Sequence, residues 1–214
     1  MKIGVMKYKN IVWDWNGTLL NDLETGVDTL NDMLQRRQLL PLTIEEYKEH
    51  FEFPVIRFYE KVGFNMKQES FHDLSVDFVE TYDKFSGKLA LHAEVPEVLQ
   101  VLRSKGMKQY VLSALREDIL QQMIADFQIA PWFELVCGSN NIYADGKIGR
   151  GQQMLRTLAI NPAETWMVGD TIHDAEVAEA LGFDCVLFVG GHNSVRRLSE
   201  KAPVIHRLKE LCEF

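Results

Sequence analysis

The amino-acid sequence predicts an α/β protein, a doubly wound parallel sheet with a small all-helical cap inserted after its first strand. Three observations carry this expectation. Strand-like apolar runs alternate with helical stripes from residue 94 onward, residues 21 to about 88 show helical periodicity alone, and two distant strand-like runs each lead into glycine and carboxylate residues. Such alternation implies parallel pairing with right-handed crossovers, and loops at one edge of the sheet then share a site. The expected division is a core of residues 1–20 and 89–214 and a cap of residues 21–88.

Ile11, Val12 and Trp13 are β-branched or aromatic and read as a buried strand, so Asp14 falls at its carboxyl end and Gly17 marks the turn. The pattern then becomes helical. Leu23, Val27, Leu30 and Leu34 define one helix face, closed by Arg36, Arg37 and Pro41. Thr43 with Glu46 forms a capping box for a second helix, Pro54 starts a third that runs to Gly63, and Phe71, Leu74, Phe78 and Tyr82 mark a fourth. Phe51, Phe53, Phe58 and Phe64 are expected to fill the core of this bundle.

Beyond residue 94, Val95, Val98, Leu99 and Leu102 form a stripe ending at Gly106, and residues 110–112 form a strand that ends on Ser113. Ile119, Met123 and Phe127 mark a helix, residues 135–137 a strand, and Met154, Leu155 and Leu158 a helix. Residues 165–168 are a strand, Ala175, Ala178 and Leu181 a helix ending at Gly182, residues 185–189 a strand, and Val204 with Ile205 a last short one. The loop from Gly190 to Ser194 reads as a flexible turn at the same edge.

A chain of 214 residues is long enough for one core and a small satellite. With 46% hydrophobic and 25% charged residues it has the composition of an ordinary globular protein. The net charge of −8 argues against broad nucleic-acid binding and against an anionic membrane surface. Cys137, Cys185 and Cys212 are far apart and read as free thiols in a reducing compartment. Neither a signal core nor an apolar run of ~18 residues is present, so a cytoplasmic protein, monomeric or dimeric, is expected, with Met6 as an alternative start.

A second acidic stretch, from Thr165 through Gly169 and Asp170 to Asp174, repeats the design of the first. Three carboxylates crowded at strand ends repel one another unless a cation intervenes, and a hard divalent ion, Mg²⁺, is the economical choice. Between the two stretches lie Ser113 and, in a polar segment, Lys147.

In this order the residues resemble the haloacid dehalogenase superfamily of phosphatases. The first motif of that family, Asp-x-Asp-Gly-Thr, reads Asp14-Trp15-Asn16-Gly17-Thr18 here; Ser113 with Ala114 matches the second, Lys147 the third, and Gly169-Asp170 with Asp174 the fourth. The helical insertion resembles the small cap of the phosphoglycolate-phosphatase-like group, and Phe51-Glu52-Phe53-Pro54-Val55 resembles the entry to its specificity helix. The resemblance implies a Rossmann-like core and hydrolysis of a small phosphorylated metabolite. By the same resemblance Asp14 attacks phosphorus and forms an aspartyl-phosphate. Asp14, Asp170, Asp174 and the main-chain carbonyl of Asn16 hold Mg²⁺. Ser113, Ala114 and Thr18 bind the phosphoryl group, and Lys147 bridges it to Asp14. Asp174 also sits where a helix N-cap is expected.

Asn16 departs from the family, whose Asp at this position protonates the leaving oxygen. An amide cannot transfer that proton, and losing a general acid costs about 10²- to 10⁴-fold. Several readings follow. The enzyme favours leaving groups that need no proton, such as acyl phosphates, or borrows a base from His173 or Asp22, both expected at the surface. It resembles phosphonoacetaldehyde hydrolases, which share the Trp of Asp-Trp-x-Gly-Thr and need a cap lysine, for which Lys48 and Lys61 are available, or it resembles dehalogenases. Last, it is a non-catalytic binder of a phospho-ligand.

Overall fold

A strand covered on both faces reads as a near-continuous apolar run, and in β1 (Asn10–Trp13) Ile11, Val12 and Trp13 are fully buried. The structure, a computed structural model, describes residues 7–144 and 147–213; residues 1–6, with the alternative start at Met6, and Asp145 and Gly146 lie outside the described residues. After β1 come β2 (Leu20–Asn21), α1 (Leu23–Arg36), α2 (Ile44–His50), α3 (Val55–Lys61), α4 (Phe71–Phe85) and β3 (Ala90–Leu91). The chain continues through α5 (Val95–Ser104), β4 (Lys108–Arg116), α6 (Glu117–Asp126), β5 (Leu135–Ser139), α7 (Lys147–Leu158), β6 (Thr165–Gly169), α8 (Ile172–Leu181), β7 (Asp184–Phe188), α9 (Val195–Ser199) and β8 (Val204–Ile205).

The main sheet is parallel, with strand order β5-β4-β1-β6-β7-β8. From β1 the chain moves outward to β4 and β5, then crosses back to β6 on the other side of β1. The order therefore reverses at β1, where open α/β sheets bind ligands. Trp13 pairs with Val111 on one side and Val168 on the other, so the strand ends are level and the residues after them emerge along one edge. Successive strand residues face opposite layers. Ile11, Trp13, Val111 and Val168 pack with Leu99, Leu102 and Leu120, while Val12, Leu112 and Met167 pack with Met154, Val177 and Leu181.

Between β2 and β3, which pair antiparallel, α1 to α4 form their own apolar cluster around Leu30, Met33, Leu34, Phe58 and Leu74. The expected capping box is present: Glu46 N–H donates to Thr43 Oγ1 at 3.2 Å and Thr43 N–H to Glu46 Oε2 at 2.8 Å. Arg37 ties the helices together through Glu69 and Asp77. Phe58 and Phe64 are buried in this cluster, whereas Phe51 and Phe53 are only partly buried.

Two strand features differ from expectation. β4 does not end before Ser113 but runs to Arg116, with a register shift between Leu112 and Arg116 that breaks the apolar period and hides the strand's second half. The pair β2 and β3 is too short to give a period-two signal. Cys137 is buried, Cys185 and Cys212 are partly buried, and all three are free. Among the described residues no helix is long and apolar enough to cross a membrane.

Candidate active site

Asp14 directly follows β1, and its N–H donates to Val168 O at 2.8 Å, so the backbone at Asp14 is tied to β6. Lys147, the first residue of α7, is buried and places Nζ 2.6 Å from Asp14 Oδ1 and 2.6 Å from Asp174 Oδ1. Asp170 follows β6. Asp14, Asp170 and Asp174 each offer a carboxylate oxygen, and these lie within 4.8 Å of one another.

Asp174 is not the N-cap of its helix. α8 starts three residues before the expected apolar stripe because Thr171 is the N-cap, and Asp174 completes the capping box at N3. Its Oδ2 accepts the N–H of Asp170 at 3.1 Å and of Thr171 at 3.0 Å and the Thr171 hydroxyl at 2.7 Å, which leaves Oδ1 for Lys147.

Asp170 is held by its own shell. Oδ1 accepts the Thr18 hydroxyl at 2.8 Å and Oδ2 the N–H of His192 at 2.6 Å. Gly17 and Gly191 lie so close that a Cβ on either would overlap the Asp170 carboxylate, and a Cβ on Gly169 would overlap Asp174. The Thr18 hydroxyl orients Asp170, and Ser113 and Ala114 line the adjoining cavity. Ser113 Oγ accepts the N–H of Leu115 at 3.1 Å.

Asp22 was expected at the surface and is instead a buried hub. It accepts from Asn16 Nδ2 at 2.8 Å, Gly17 N–H at 2.7 Å and the Tyr82 hydroxyl at 2.9 Å, and His192 Nε2 lies 3.1 Å away. The other ring nitrogen of His192 is 3.2 Å from the Tyr47 hydroxyl. His173 is also off the open surface, stacked on Phe53 with ring centroids 4.7 Å apart. Neither lysine considered for a Schiff base reaches the cavity: Lys48 donates to Val189 O at 3.0 Å, Lys61 is exposed, and Lys147 is the one lysine among the described residues that lines it.

Burial raises the Asp14 carboxyl well above the ordinary range, assisted by Asp174 and Asp170 and opposed by Lys147. Burial likewise raises Asp170 to about 6. For Asp174 burial is outweighed by the Lys147 charge and by hydrogen bonds from Lys147 and Thr171, so its pKa is lowered. For His192 burial is outweighed by Asp22, Asp170 and Asp14, and the imidazole is pushed up to about 9. Asp14, Asp22, Asp170 and Asp174 are thus four buried carboxylates facing two buried cations, Lys147 and His192. With all four ionised, two negative charges remain. A divalent cation offsets that charge, and an all-oxygen donor set suits a hard ion.

The cavity above these groups has a volume of about 580 Å³ and is bounded by residues of both the sheet edge and α1 to α4. Sequence reasoning missed His192, Tyr47 and Tyr82. The paired glycines before His192 were the only local signal, and the tyrosines follow the helical period of core residues.

A family model described as haloacid dehalogenase-like hydrolase matches residues 11–188. A phosphoglycolate phosphatase of Aquifex aeolicus is 28% identical over 104 residues, 47% of this chain and 48% of its own length. The chain spans about half the length of the curated relatives it matches. A crystal structure of a predicted phosphoglycolate phosphatase from Haemophilus somnus superposes with a TM-score of 0.77 at 18% identity, covering 98% of this chain and 99% of that one. Protein tyrosine kinase A of Mycobacterium tuberculosis superposes with a TM-score of 0.79 at 20% identity, covering 96% and 97%. At these identities the likeness is one of fold.

Proposed function

The chain belongs to the haloacid dehalogenase-like hydrolases, and we propose that it is a Mg²⁺-dependent phosphohydrolase of a small phosphomonoester, working through an aspartyl-phosphate on Asp14. The observation that carries this reading is the buried trio Asp14, Asp170 and Asp174 with Lys147 bonded to two of them at the base of a cavity. Residues 21–88 act as the cap and residues 1–20 and 89–214 as the core. The similarity to phosphoglycolate phosphatases supports a small phosphorylated substrate.

Asp14, Asp170, Asp174 and the carbonyl of Asn16 would hold Mg²⁺, which when bound offsets phosphate charge and orients the phosphoryl group. Asp14 attacks phosphorus in line, the bond to the leaving oxygen breaks with its electron pair, and water then attacks phosphorus to release phosphate and free Asp14. Lys147 opposes the effect of burial on the Asp14 carboxyl and meets a phosphoryl oxygen. Ser113 and Ala114 line the phosphate side. Asn16 orients but transfers no proton, so turnover is slowed most for leaving groups that need one.

The test is hydrolysis of an aryl phosphate with Mg²⁺, expected to vanish on chelation and in Asp14→Asn. The mass of the protein is checked first, because Asn16-Gly17 is prone to deamidation to the missing acid. Equal inertness of wild type and variant across a phosphate-ester panel, with Mg²⁺ and a phosphate mimic still bound, would instead identify a phospho-ligand binder.

A further inference from the structure

We infer that the substrate is an aryl phosphate, a phosphate ester of a phenol-type hydroxyl on a flat apolar skeleton, and not a short carboxylate-bearing ester. This inference rests on the phosphohydrolase reading above and specifies its substrate class. Two independent features lead to it.

The first is the cavity wall. Among the residues that line the cavity are Phe51, Phe53, Phe58, Phe78, Tyr82 and Phe127. The hydroxyl of Tyr82 is turned away onto Asp22, so this residue offers a ring and not a polar handle. Among the described residues the wall carries one guanidinium, Arg116, bonded to Asp118 at 2.6 and 2.9 Å, one ammonium, Lys147, held between Asp14 and Asp174, and two imidazoles, His192, 3.1 Å from Asp22, and His173, 3.3 Å from Glu176. A substrate carboxylate would meet aromatic faces here, because each lysine, arginine and histidine of the wall already sits beside a protein carboxylate, and burying an unpaired carboxylate is strongly unfavourable. A flat apolar ring is favoured by the same wall through offset and edge-on ring contacts. The volume of about 580 Å³ is far larger than a two-carbon acid needs and suits a ring system.

The second is Asn16. Without a proton donor at this position the leaving oxygen departs as an anion, and its acidity decides the rate. A phenol-type oxygen bears that charge readily, whereas an alkoxide does not. In the first step the Asp14 oxygen forms a bond to phosphorus as the phosphorus to aryl-oxygen bond breaks, and the electron pair stays on the phenolate, which takes a proton from solvent. In the second step water forms the new bond to phosphorus, its proton passes to the departing phosphate, and Asp14 is released as carboxylate. Polar selection by the wall and kinetic selection by Asn16 favour the same leaving group.

The experiment compares kcat/KM for phenyl phosphate and 1-naphthyl phosphate with those for phosphoglycolate and glycerol 3-phosphate at saturating Mg²⁺. The expected preference for the aryl esters is at least about 10²-fold, the lower end of what a missing general acid costs. Phosphoglycolate hydrolysed as well as or better than phenyl phosphate would overturn the inference and leave the phosphohydrolase reading intact. Phe53→Ala is expected to lower kcat/KM for 1-naphthyl phosphate by a larger factor than that for glycerol 3-phosphate, and an equal loss for both would count against ring recognition by the wall. Calorimetry with phenylphosphonate and phosphonoacetate in the presence of Mg²⁺ separates the two claims. If no ester is hydrolysed but phenylphosphonate binds more tightly, the cavity's selectivity stands and the catalytic reading fails; phosphonoacetate binding equally or more tightly overturns the inference.

Discussion

The side-chain amide of Asn16 donates to the carboxylate of Asp22 at 2.8 Å, and this contact explains why the position tolerates no acid without cost. An Asp at 16 would face a second buried carboxylate, and the repulsion would raise one pKa of the pair, at a cost in stability. Asn16→Asp is therefore expected to raise kcat for glycerol 3-phosphate by about 10-fold or more, as a general acid is restored, and to lower the melting temperature of the chelator-treated protein. Steady-state kinetics beside thermal melts check both signs. An unchanged rate would remove the acid/base interpretation of this position.

Lys147 bonds two buried acids at once. In Lys147→Met those acids lose their partner, and breaking a buried pair costs about 3–5 kcal/mol. Urea unfolding in EDTA should show a loss of that order, and Mg²⁺ should recover part of it by supplying positive charge to the same oxygens. Hydrolysis is lost in either condition.

Gly191 lies against the Asp170 carboxylate with no room for a methyl group. Gly191→Ala should turn that carboxylate away from the shared site and weaken Mg²⁺ binding by about 10- to 100-fold, the range typical of groups that orient a metal ligand. Titration of activity against Mg²⁺ concentration reads this directly. Unaltered Mg²⁺ dependence would argue that Asp170 is no ligand.

His192 is raised from an ordinary 6.5 to about 9 in the folded chain, with Asp22 the largest favourable cause. A folded-state pKa above the unfolded one means the native state binds more protons in that interval. The stabilisation is thus complete below about pH 6.5 and is lost as pH rises through 9. In EDTA the urea midpoint of wild type should fall across that window, and His192→Gln should remove this part of the slope. A parallel slope in the variant would assign the effect to other groups.

The acids at 14, 170 and 174 were legible because each sits in or just beyond a local strand-to-glycine pattern, and such patterns need only neighbouring residues. Lys147 was legible through its order among the motifs. Ser113 was assigned to the site but mistaken for a strand terminus, since the irregular pairing beyond Leu112 erases the apolar period that marks a strand. Asp22 was expected at the surface and is buried, because a buried hydrogen-bonded carboxylate and a solvated one have the same one-letter code.

The linear chain by itself determined the parallel core, the helical insertion and the level at which the acids leave the sheet, because strand and helix periodicity arise from residues a few positions apart. Only the tertiary structure decided that Asp22, Tyr82 and His192 meet beside Asn16 and that aromatic residues of the helices line the same cavity as Asp14 and Asp174. Those contacts join residues 60 and 170 positions apart. Their pairing depends on how the helices dock on the sheet edge, a matter of packing that no local pattern encodes.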